Sequence, residues 1–201
     1  MNFIDLFPTV IASHMVDDIP ESELVAYKSH IQTLQYHKDK EYGEFSHDQN
    51  VLKSPIFNNL NNIILNYSKI YLNEIGKIFE DIQISCSWVN RLDQSQQIFL
   101  HSHANSYISG VFYFQNSTSS IVFQNPNKDS FIFTSKDNLN SPKNHRDSNL
   151  FNLTPKKNQL IIFPSYIRHT VEPTKEDNRV SIAFNIIPKG KFGEETSMLY
   201  L

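Results

Sequence analysis

Two histidines separated by one residue are the first feature of this sequence that could do chemistry. His101 and His103 follow the apolar residues 98–100. In a β-strand, residues i and i+2 point to the same face, so both imidazoles can reach one point. Two neutral imidazoles that converge on one side of a sheet suit a divalent metal such as Fe, Zn or Cu. By this spacing alone, a pair of exposed polar residues on an edge strand is an equally good interpretation.

A third histidine favours the metal site. His169 follows the apolar run 160–163 and a turn. In a jelly roll, a strand far downstream can lie beside an early one because the two sheets are wound together. His169 can therefore complete a site begun by His101 and His103, although taken alone it fits a core or turn histidine. The remaining histidines lie in the helical part or in polar loops and are interpreted as solvated: His14, His30, His37, His47 and His145.

The last predicted strand alternates between an apolar face and a face that carries an arginine. The apolar face consists of Val180, Ile182 and Phe184, and the other of Arg179, Ser181, Ala183 and Asn185. An inward guanidinium needs an anion, because burying an unpaired charge is costly. Arginine binds a carboxylate through two parallel hydrogen bonds, to which a serine can add a third. An ion pair with Glu172 or Asp177 is the alternative, but the position shortly after His169 favours a ligand.

The elements that must position these residues form a helical first part and a strand-rich second part. Helical spacing begins at Pro20-Glu21 and again at Ser54-Pro55, where the apolar face continues to Ile78, and residues 41–53 between them are predicted as a polar loop. Short β-like runs follow, at 82–92, 98–103, 107–115, 120–124, 131–133, 150–153, 159–163, 169–171 and 179–187, with a long surface loop at 134–148. Many short strands with polar turns predict a sandwich or barrel.

Composition limits the classes of protein that this chain can belong to. Its 201 residues suit one domain, with residues 1–81 as mostly helical support and residues 82–188 as the β core. A formal charge of −3 argues against stable nucleic-acid binding. No apolar run is long enough for a membrane span, no signal peptide is apparent, and the single Cys86 fits a reducing compartment. We therefore expect a cytoplasmic protein.

Several motifs together resemble a known family. They are His101-Ser-His103, Ser109-Gly-Val-Phe-Tyr-Phe114, Phe123-Gln-Asn-Pro126, Phe163-Pro-Ser-x-x-x-His169 and Arg179-x-Ser-x-x-x-Asn185, supported by Leu6-Phe-Pro-Thr9 and Ser87-Trp-Val-Asn90. This set resembles the 2-oxoglutarate/Fe(II)-dependent oxygenases of marine bacteria and their phages, which are distantly similar to prolyl hydroxylases. The resemblance covers most of the chain, and residues 87–125 and 159–185 carry its specificity.

The resemblance implies a fold and a site. The fold is a double-stranded β-helix, which is a jelly roll, so the expected class is mainly β with α, flanked by N-terminal helices. The site holds Fe(II) on protein ligands and 2-oxoglutarate as cosubstrate. Arg179 matches the residue that grips the far carboxylate, with Ser181 and Asn185 in the same motif. Tyr113 matches a hydroxyl that often assists, for which core packing is a nearly equal alternative. No catalytic residue beyond the metal ligands is predicted.

One departure from the family pattern concerns the metal ligands. The usual iron site has two histidines and one carboxylate, with the first pair spaced His-x-Asp. Here position 103 is histidine, and a shift by two residues would give His103-Ala-Asn105, with an amide in the carboxylate place. We predict that the ligands are His101, His103 and His169, because imidazole is the better ligand for Fe(II). Asn105-Ser106 is interpreted as the turn of a hairpin between the histidine strand and the next.

Three functional hypotheses follow. The first is an enzyme that uses Fe(II), 2-oxoglutarate and O2 to hydroxylate a protein side chain or a small metabolite, with a peptide or protein slightly favoured. The second is a cupin-like three-histidine metalloprotein that does not use 2-oxoglutarate, although it would leave Arg179 and Ser181 without a role. The third is a non-catalytic jelly roll that binds a ligand, which the missing carboxylate supports. A homodimer is compatible with each of them.

Overall fold

Two antiparallel β-sheets that face each other form the body of the protein. The computed structural model describes residues 8–127 and 149–200. The large sheet has the strand order β1 (Ala12–Met15), β9 (Gln159–Pro164), β6 (Ile108–Tyr113), β11 (Arg179–Lys189), β4 (Asp81–Leu92), β3 (Gly43–Ser46) and β2 (Tyr36–Asp39). The small sheet has the order β5 (Ile98–His101), β10 (His169–Val171), β7 (Ile121–Gln124) and β8 (Leu150–Leu153). A ribbon of β12 (Lys191–Phe192) and β13 (Leu199–Tyr200) follows.

Two α-helices cover the outer face of the large sheet. They are α1 (Glu21–Thr33) and α2 (Asn58–Glu74), and short 3₁₀ turns at Val51–Lys53 and Pro55–Phe57 lead into α2. The prediction of a jelly roll flanked by N-terminal helices is confirmed. None of the helices in residues 8–127 and 149–200 is long and apolar enough to cross a membrane.

The ends of α2 differ from the predicted ends. The helical path opens at Pro55 as a 3₁₀ turn, and the Ser54 side chain accepts no capping hydrogen bond. The helix ends at Glu74, because Gly76 adopts a positive φ of 71° and the Lys77 N–H donates to the Leu72 carbonyl at 2.8 Å. Only glycine enters this left-handed region without strain, so it terminates the helix before Ile78.

Buried apolar side chains form two layers, one on each face of the large sheet. The outer layer packs α1 and α2 against the sheet, with Leu60, Ile64 and Phe184 all fully buried. Each such side chain contributes about 1.5–3 kcal/mol through burial. The inner layer lies between the two sheets and consists of Val111, Tyr113, Ile121, Phe123, Ile161, Phe163, Ile167 and Ala183. This inner layer surrounds the candidate site.

Strand β11 divides its side chains between these layers as the alternation predicts. Ile182 and Phe184 belong to the outer layer, while Ala183 belongs to the inner layer. Arg179 lies on the same face as Ala183 and is 2% exposed. The prediction that the arginine-bearing face points inward is therefore confirmed.

Three strands of the N-terminal part lie outside the predicted strands. Residues 41–53 were expected to be a loop, but β2 and β3 form a hairpin that pairs with β4 through Glu44 and Phe45. Strand β1 pairs with β9 at the opposite edge of the sheet. Both edges expose polar side chains, so neither segment shows the apolar alternation by which a strand is recognised. The predicted strand 131–133 and the whole of the predicted loop 134–148 lie outside the described residues, as does His145.

The hairpin predicted at Asn105-Ser106 is also wrong. Strand β5 pairs with β10 in the small sheet, whereas β6 belongs to the large sheet. The chain therefore crosses from one sheet to the other between His101 and Ile108. Asn105 turns it with a φ of 55°, a left-handed conformation that asparagine tolerates better than most residues.

Candidate metal centre and anion pocket

Strand pairing in the small sheet brings two of the three histidines together. His101 ends β5 and His169 begins β10, and the two are directly opposed in the antiparallel ladder. Opposed residues project to the same face, so the two rings meet with their centroids 4.4 Å apart. The register of β5 against β10 therefore brings together two histidines that are 68 residues apart in the sequence.

The third histidine reaches the same point from a loop. His103 lies beyond the end of β5, and its backbone N–H donates to the Ser165 carbonyl at 3.0 Å. Its ring centroid lies 4.9 Å from that of His101 and 5.1 Å from that of His169. The side chain is held against Trp88, whose ring centroid is 5.6 Å away. The convergence predicted for an i, i+2 strand pair is therefore present, although a loop produces it.

Hydrogen bonds to backbone carbonyls orient two of the rings. The Nδ1 atom of His169 lies 3.0 Å from the Ile167 carbonyl oxygen, and that of His101 lies 2.8 Å from the Phe99 carbonyl oxygen. A carbonyl oxygen only accepts, so each Nδ1 carries the proton. In the neutral ring this leaves Nε2 with a free lone pair, which is how metal-binding histidines are commonly fixed.

The ligand atoms lie at distances that suit one metal ion. One nitrogen from each ring falls within 4.8 Å of the others. The Nε2 atoms of His103 and His169 are 3.3 Å apart. Two nitrogens bound to one metal at about 2.1 Å are separated by roughly 3.0–3.4 Å, for angles between square and tetrahedral. The contact is satisfied either by a proton on one nitrogen or by a metal ion bound to both.

Burial keeps the rings of His103 and His169 neutral. Desolvation, together with the charge that His101 takes up on protonation, lowers the pKa of His103 to about 4. Desolvation lowers the pKa of His169 to about 3 against the opposing effect of the hydrogen bond to Ile167, and the charges that His101 and His103 take up on protonation add smaller lowering effects. Both rings are therefore uncharged near neutral pH, as a metal ligand must be.

The metal cluster in the described part of the chain contains three imidazoles and no carboxylate. Soft or borderline nitrogen donors of this kind suit Fe, Zn, Cu and Ni rather than Mg or Ca, which prefer oxygen. A divalent transition metal therefore fits the residues present.

A buried cation lies in the same interior, on β11. Arg179 is 2% exposed, and its Nη2 atom is buried with no hydrogen-bond partner among residues 8–127 and 149–200. Its Nε–H donates to the Ser117 hydroxyl at 3.0 Å, and its guanidinium carbon lies 5.2 Å from the centre of the Tyr113 ring. Leaving a buried donor unpaired costs about 1–3 kcal/mol, and more when the donor is charged. The free donor is therefore a place where an anion such as a carboxylate fits.

The alternative partners of Arg179 that the sequence suggested are engaged elsewhere. Glu172 accepts from the Ser120 backbone N–H at 3.1 Å and from Asn152 at 3.3 Å. Asp177 accepts from the Gln94 backbone N–H at 3.0 Å. Neither contact leads to the guanidinium, so the interpretation of Arg179 as a ligand-binding residue becomes stronger.

The other residues of the predicted cosubstrate set are distributed along the same interior. Tyr113 and Ser181 are opposed across β6 and β11, and both are nearly inaccessible to solvent. Burial raises the pKa of Tyr113, so its hydroxyl stays protonated and can donate a hydrogen bond. Asn185 is already engaged: it accepts from Ser109 at 2.7 Å and donates to the Cys86 sulfur at 3.2 Å.

Several residues near the site have no signal in the sequence. Ser117 contacts Arg179, and Glu176 accepts from Ser117 at 2.6 Å. Trp88 contacts His103, and Phe163 packs edge-on against His169 at 4.7 Å between centroids. A serine in a polar turn and an acid in a connecting loop are ordinary at the surface, so only the tertiary contacts single them out. Trp88 and Phe163, by contrast, lie in motifs that the resemblance included.

Comparison with known proteins gives one family match. Residues 86–185 match the family model described as "Putative 2OG-Fe(II) oxygenase". This segment runs from β4 to β11 and includes every residue of the candidate metal centre and anion pocket. A search of the curated proteins finds no match to the sequence.

Solved structures with the same fold are more numerous. An oxidoreductase of the 2OG-Fe(II) oxygenase family from Burkholderia pseudomallei has 13% identity and a TM-score of 0.60, covering 87% of this chain and 83% of its own. HygX from Streptomyces hygroscopicus, with nickel and 2-oxoglutarate bound, has 12% identity and a TM-score of 0.61, covering 90% and 83%. A Pseudomonas putida prolyl-4-hydroxylase has 11% identity and a TM-score of 0.59, covering 90% and 94%. At these identities the likeness establishes a common fold.

Proposed function

Because this chain belongs to the 2OG-Fe(II) oxygenase family, we propose that it hydroxylates a C–H bond of a protein side chain or a small metabolite. In this proposal His101, His103 and His169 bind Fe(II). Arg179 binds the far carboxylate of 2-oxoglutarate, and Tyr113 and Ser181 lie beside it. O2 is the second cosubstrate.

The observation that carries the proposal is a buried, unpartnered guanidinium nitrogen in the same interior as a three-imidazole cluster. Phe163 and Phe123 pack together and both contact the His169 ring. The same apolar layer includes Tyr113, which lies under Arg179. One end of this interior thus suits a metal and the other suits an anion, which matches a ligand with a metal-chelating head and a distant carboxylate.

The chain's own residues bind, orient and exclude water. Fe(II), when bound with 2-oxoglutarate and O2, supplies the oxidation that inserts oxygen into an unreactive C–H bond, with succinate and CO2 as co-products. Carbonyl hydrogen bonds hold the rings of His101 and His169 in place, and Arg179 orients the cosubstrate by its far end. The buried phenylalanines keep the interior dry, which protects reactive species from side reactions.

Three neutral ligands alter the charge balance at the metal. A two-histidine, one-carboxylate site reduces the charge of Fe(II) by one, whereas three imidazoles leave it unchanged. The C1 carboxylate of 2-oxoglutarate would then supply the negative charge that the missing carboxylate ligand does not. We therefore expect 2-oxoglutarate and Fe(II) to bind cooperatively.

Aromatic side chains beside the metal cluster support a substrate with an apolar group. Phe99 is 53% exposed and lies 5.2 Å from the His101 ring, with Tyr42 edge-on behind it at 5.4 Å between centroids. The Trp88 ring lies beside that of His103. A ring or aliphatic side chain of a peptide or metabolite would pack against these aromatic faces.

Among the residues that the structure describes, the cluster contains no carboxylate, which favours one other function, a three-histidine metalloprotein that does not use 2-oxoglutarate. That function leaves the free nitrogen of Arg179 without a partner. A non-catalytic jelly roll that binds a carboxylate ligand would use Arg179 but would not need the metal.

One experiment separates these functions. Fe(II) and then 2-oxoglutarate are added to the metal-free protein under anaerobic conditions, and the visible absorption and metal content are measured. The proposed function predicts one bound iron and a weak charge-transfer band that needs both components. Iron binding without a band or any stabilisation by 2-oxoglutarate would instead support the metalloprotein, and 2-oxoglutarate binding without iron would support the ligand-binding jelly roll.

A further inference from the structure

We propose that Ser117, backed by Glu176, is a positioning residue that aims the guanidinium of Arg179 at the far carboxylate of 2-oxoglutarate. The inference rests on the proposed function, because it concerns the orientation of the residue that binds the cosubstrate. It assigns a role to two residues that lie outside the motifs of the sequence, one in the β6–β7 connection and one in the β10–β11 connection.

Every hydrogen-bonding position of the Ser117 hydroxyl is occupied. It accepts from the Nε–H of Arg179 at 3.0 Å and from the backbone N–H of Ser119 at 3.1 Å. Its single proton points to the Glu176 carboxylate at 2.6 Å, with the Ser119 carbonyl at 2.9 Å as a second acceptor. A hydroxyl has one proton and two lone pairs. Ser117 therefore presents a lone pair to Arg179 and has no freedom to turn.

Glu176 fixes the direction of that proton. Its carboxylate also accepts from the Thr118 backbone N–H at 3.2 Å and from the Thr118 hydroxyl. Against the opposing effect of partial burial, the hydrogen bonds from Ser117 and Thr118 and the charge of Arg179 lower the pKa of Glu176. It is therefore an anion near neutral pH, and an anion only accepts, so Ser117 must donate to it.

These contacts leave Arg179 one orientation. The Nε–H is anchored on Ser117, and the guanidinium lies over the face of the Tyr113 ring. Because the guanidinium is planar and rigid, fixing one nitrogen and one face also fixes the direction of Nη2. Nη2 is the nitrogen that is buried without a partner. A donor fixed before the ligand arrives avoids the entropic cost of ordering a long side chain on binding.

The alternative explanation is that Ser117 and Glu176 only hold the β6–β7 and β10–β11 connections together. A contact of that kind contributes to the stability of the protein and does not change its relative affinity for different ligands. A positioning role predicts a loss that depends on the far carboxylate of the ligand. The pair 2-oxoglutarate and 2-oxobutyrate separates the two, because 2-oxobutyrate keeps the metal-chelating head and lacks the second carboxylate.

The experiment measures the affinity of both oxoacids for the Fe(II)-loaded protein under anaerobic conditions. Ser117→Ala removes the acceptor and leaves the Nε–H of Arg179 buried and unpaired. We expect 2-oxoglutarate to bind about tenfold more weakly, the usual effect of one hydrogen bond to a charged group, and 2-oxobutyrate to bind as it does to the wild type. Ser117→Thr keeps the hydroxyl and should restore most of the affinity.

Two further variants test the backing by Glu176. In Glu176→Gln the amide oxygen can still accept from Ser117. The affinity for 2-oxoglutarate should therefore fall by a smaller factor than in Ser117→Ala. Glu172→Gln is the matched control, because Glu172 lies in the same connection and contacts Ser120 and Asn152 instead. It should bind both oxoacids like the wild type. Tighter binding of 2-oxoglutarate to Glu176→Gln would overturn the role of Glu176.

The outcomes separate this inference from the proposed function. If the wild type binds Fe(II) but no 2-oxoglutarate, the proposed function fails. If the wild type binds 2-oxoglutarate and Ser117→Ala binds it equally well, only the positioning role fails. A parallel loss of both oxoacids in Ser117→Ala, with a lower unfolding temperature, would show that Ser117 is merely structural.

Discussion

His103 is the residue at which this chain departs from the His-x-Asp spacing of the family it resembles. The side chain has the right position for a ligand, with Nε2 3.3 Å from that of His169, but it is neutral. An aspartate there would also have met the Trp88 ring, which an imidazole accommodates as an aromatic neighbour. The role of the three histidines as ligands stays a prediction, and it can be tested residue by residue.

The ligand set makes opposite predictions for His101 and Asn105. His101→Ala removes one of three nitrogens and should abolish tight Fe(II) binding, whereas Asn105→Ala should leave it intact. Isothermal titration with Fe(II) under anaerobic conditions measures both. Asn105 has a positive φ, so Asn105→Gly serves as the control for backbone strain in the alanine variant. Iron loss in both Asn105 variants, with retention in His101→Ala, would contradict the three-histidine assignment.

Arg179→Lys tests the anion pocket at the level of a single side chain. Lysine keeps the charge but loses the planar fork, so it cannot contact Ser117 and the ligand together. We expect 2-oxoglutarate affinity to fall by roughly tenfold to a hundredfold while Fe(II) affinity is retained. Arg91→Lys, at a partly exposed ion pair with Glu44, is the matched control and should change neither. Unchanged cosubstrate affinity in Arg179→Lys would remove this residue from the site.

At the scale of elements, β6 is the strand that the site depends on most. It lies between β9 and β11 and positions Ser109 and Tyr113 on the inner face. Gly110 lies between them on the outer face, where a Cβ atom would come within 2.3 Å of the Phe184 ring and 2.6 Å of the Ile161 carbonyl oxygen. Glycine is required here for close packing rather than for an unusual φ.

We therefore predict that Gly110→Ala destabilises the protein by about 1–3 kcal/mol, the usual cost of overpacking a core. Urea unfolding followed by circular dichroism measures the loss. Replacing Phe184 by leucine in the same background should recover part of it, because the closest clash is with the far end of that ring. The single variant Gly110→Ala should also bind 2-oxoglutarate more weakly, since β6 positions Tyr113. Wild-type stability in Gly110→Ala would show that the strands move apart without cost.

At the scale of the whole molecule, the site joins segments from both sheets. The histidines belong to the small sheet and the loop that leaves it, while Arg179 belongs to the large sheet. A ligand that contacts both ends of the interior would therefore bind only to the assembled jelly roll. Binding to the folded state alone stabilises it by mass action.

The unfolding temperature should accordingly rise in two steps, the first on addition of the metal and the second on addition of 2-oxoglutarate. A metal at a hundredfold excess over its dissociation constant contributes about 2.7 kcal/mol, and 2-oxoglutarate at a similar excess contributes about as much again. For a protein of this size each step corresponds to roughly 5–10 °C, which differential scanning calorimetry resolves. His169→Ala should lose both steps, whereas Arg179→Lys should keep the first step and reduce the second to about half or less, as a tenfold to hundredfold loss of affinity requires. A second step of full size in Arg179→Lys would contradict the anion pocket.

Features that depend on the local spacing of residues could be predicted from the sequence. Alternation along residues 179–185 predicted which face of β11 points inward, and the helical spacing from Glu21 predicted α1. The short strands with polar turns predicted a sandwich or barrel, and the resemblance of the motifs around His101, His169 and Arg179 to a known family implied the jelly roll.

Tertiary structure alone decided how distant segments meet. Local patterns say which face of a strand is apolar and not which strands pair, so the opposition of His101 and His169 follows from the register of β5 and β10. The place of His103 depends on a backbone hydrogen bond to Ser165 across the sheets. Ser117 and Glu176 come from two polar loops, and only the packing of those loops on Arg179 distinguishes them from ordinary surface residues.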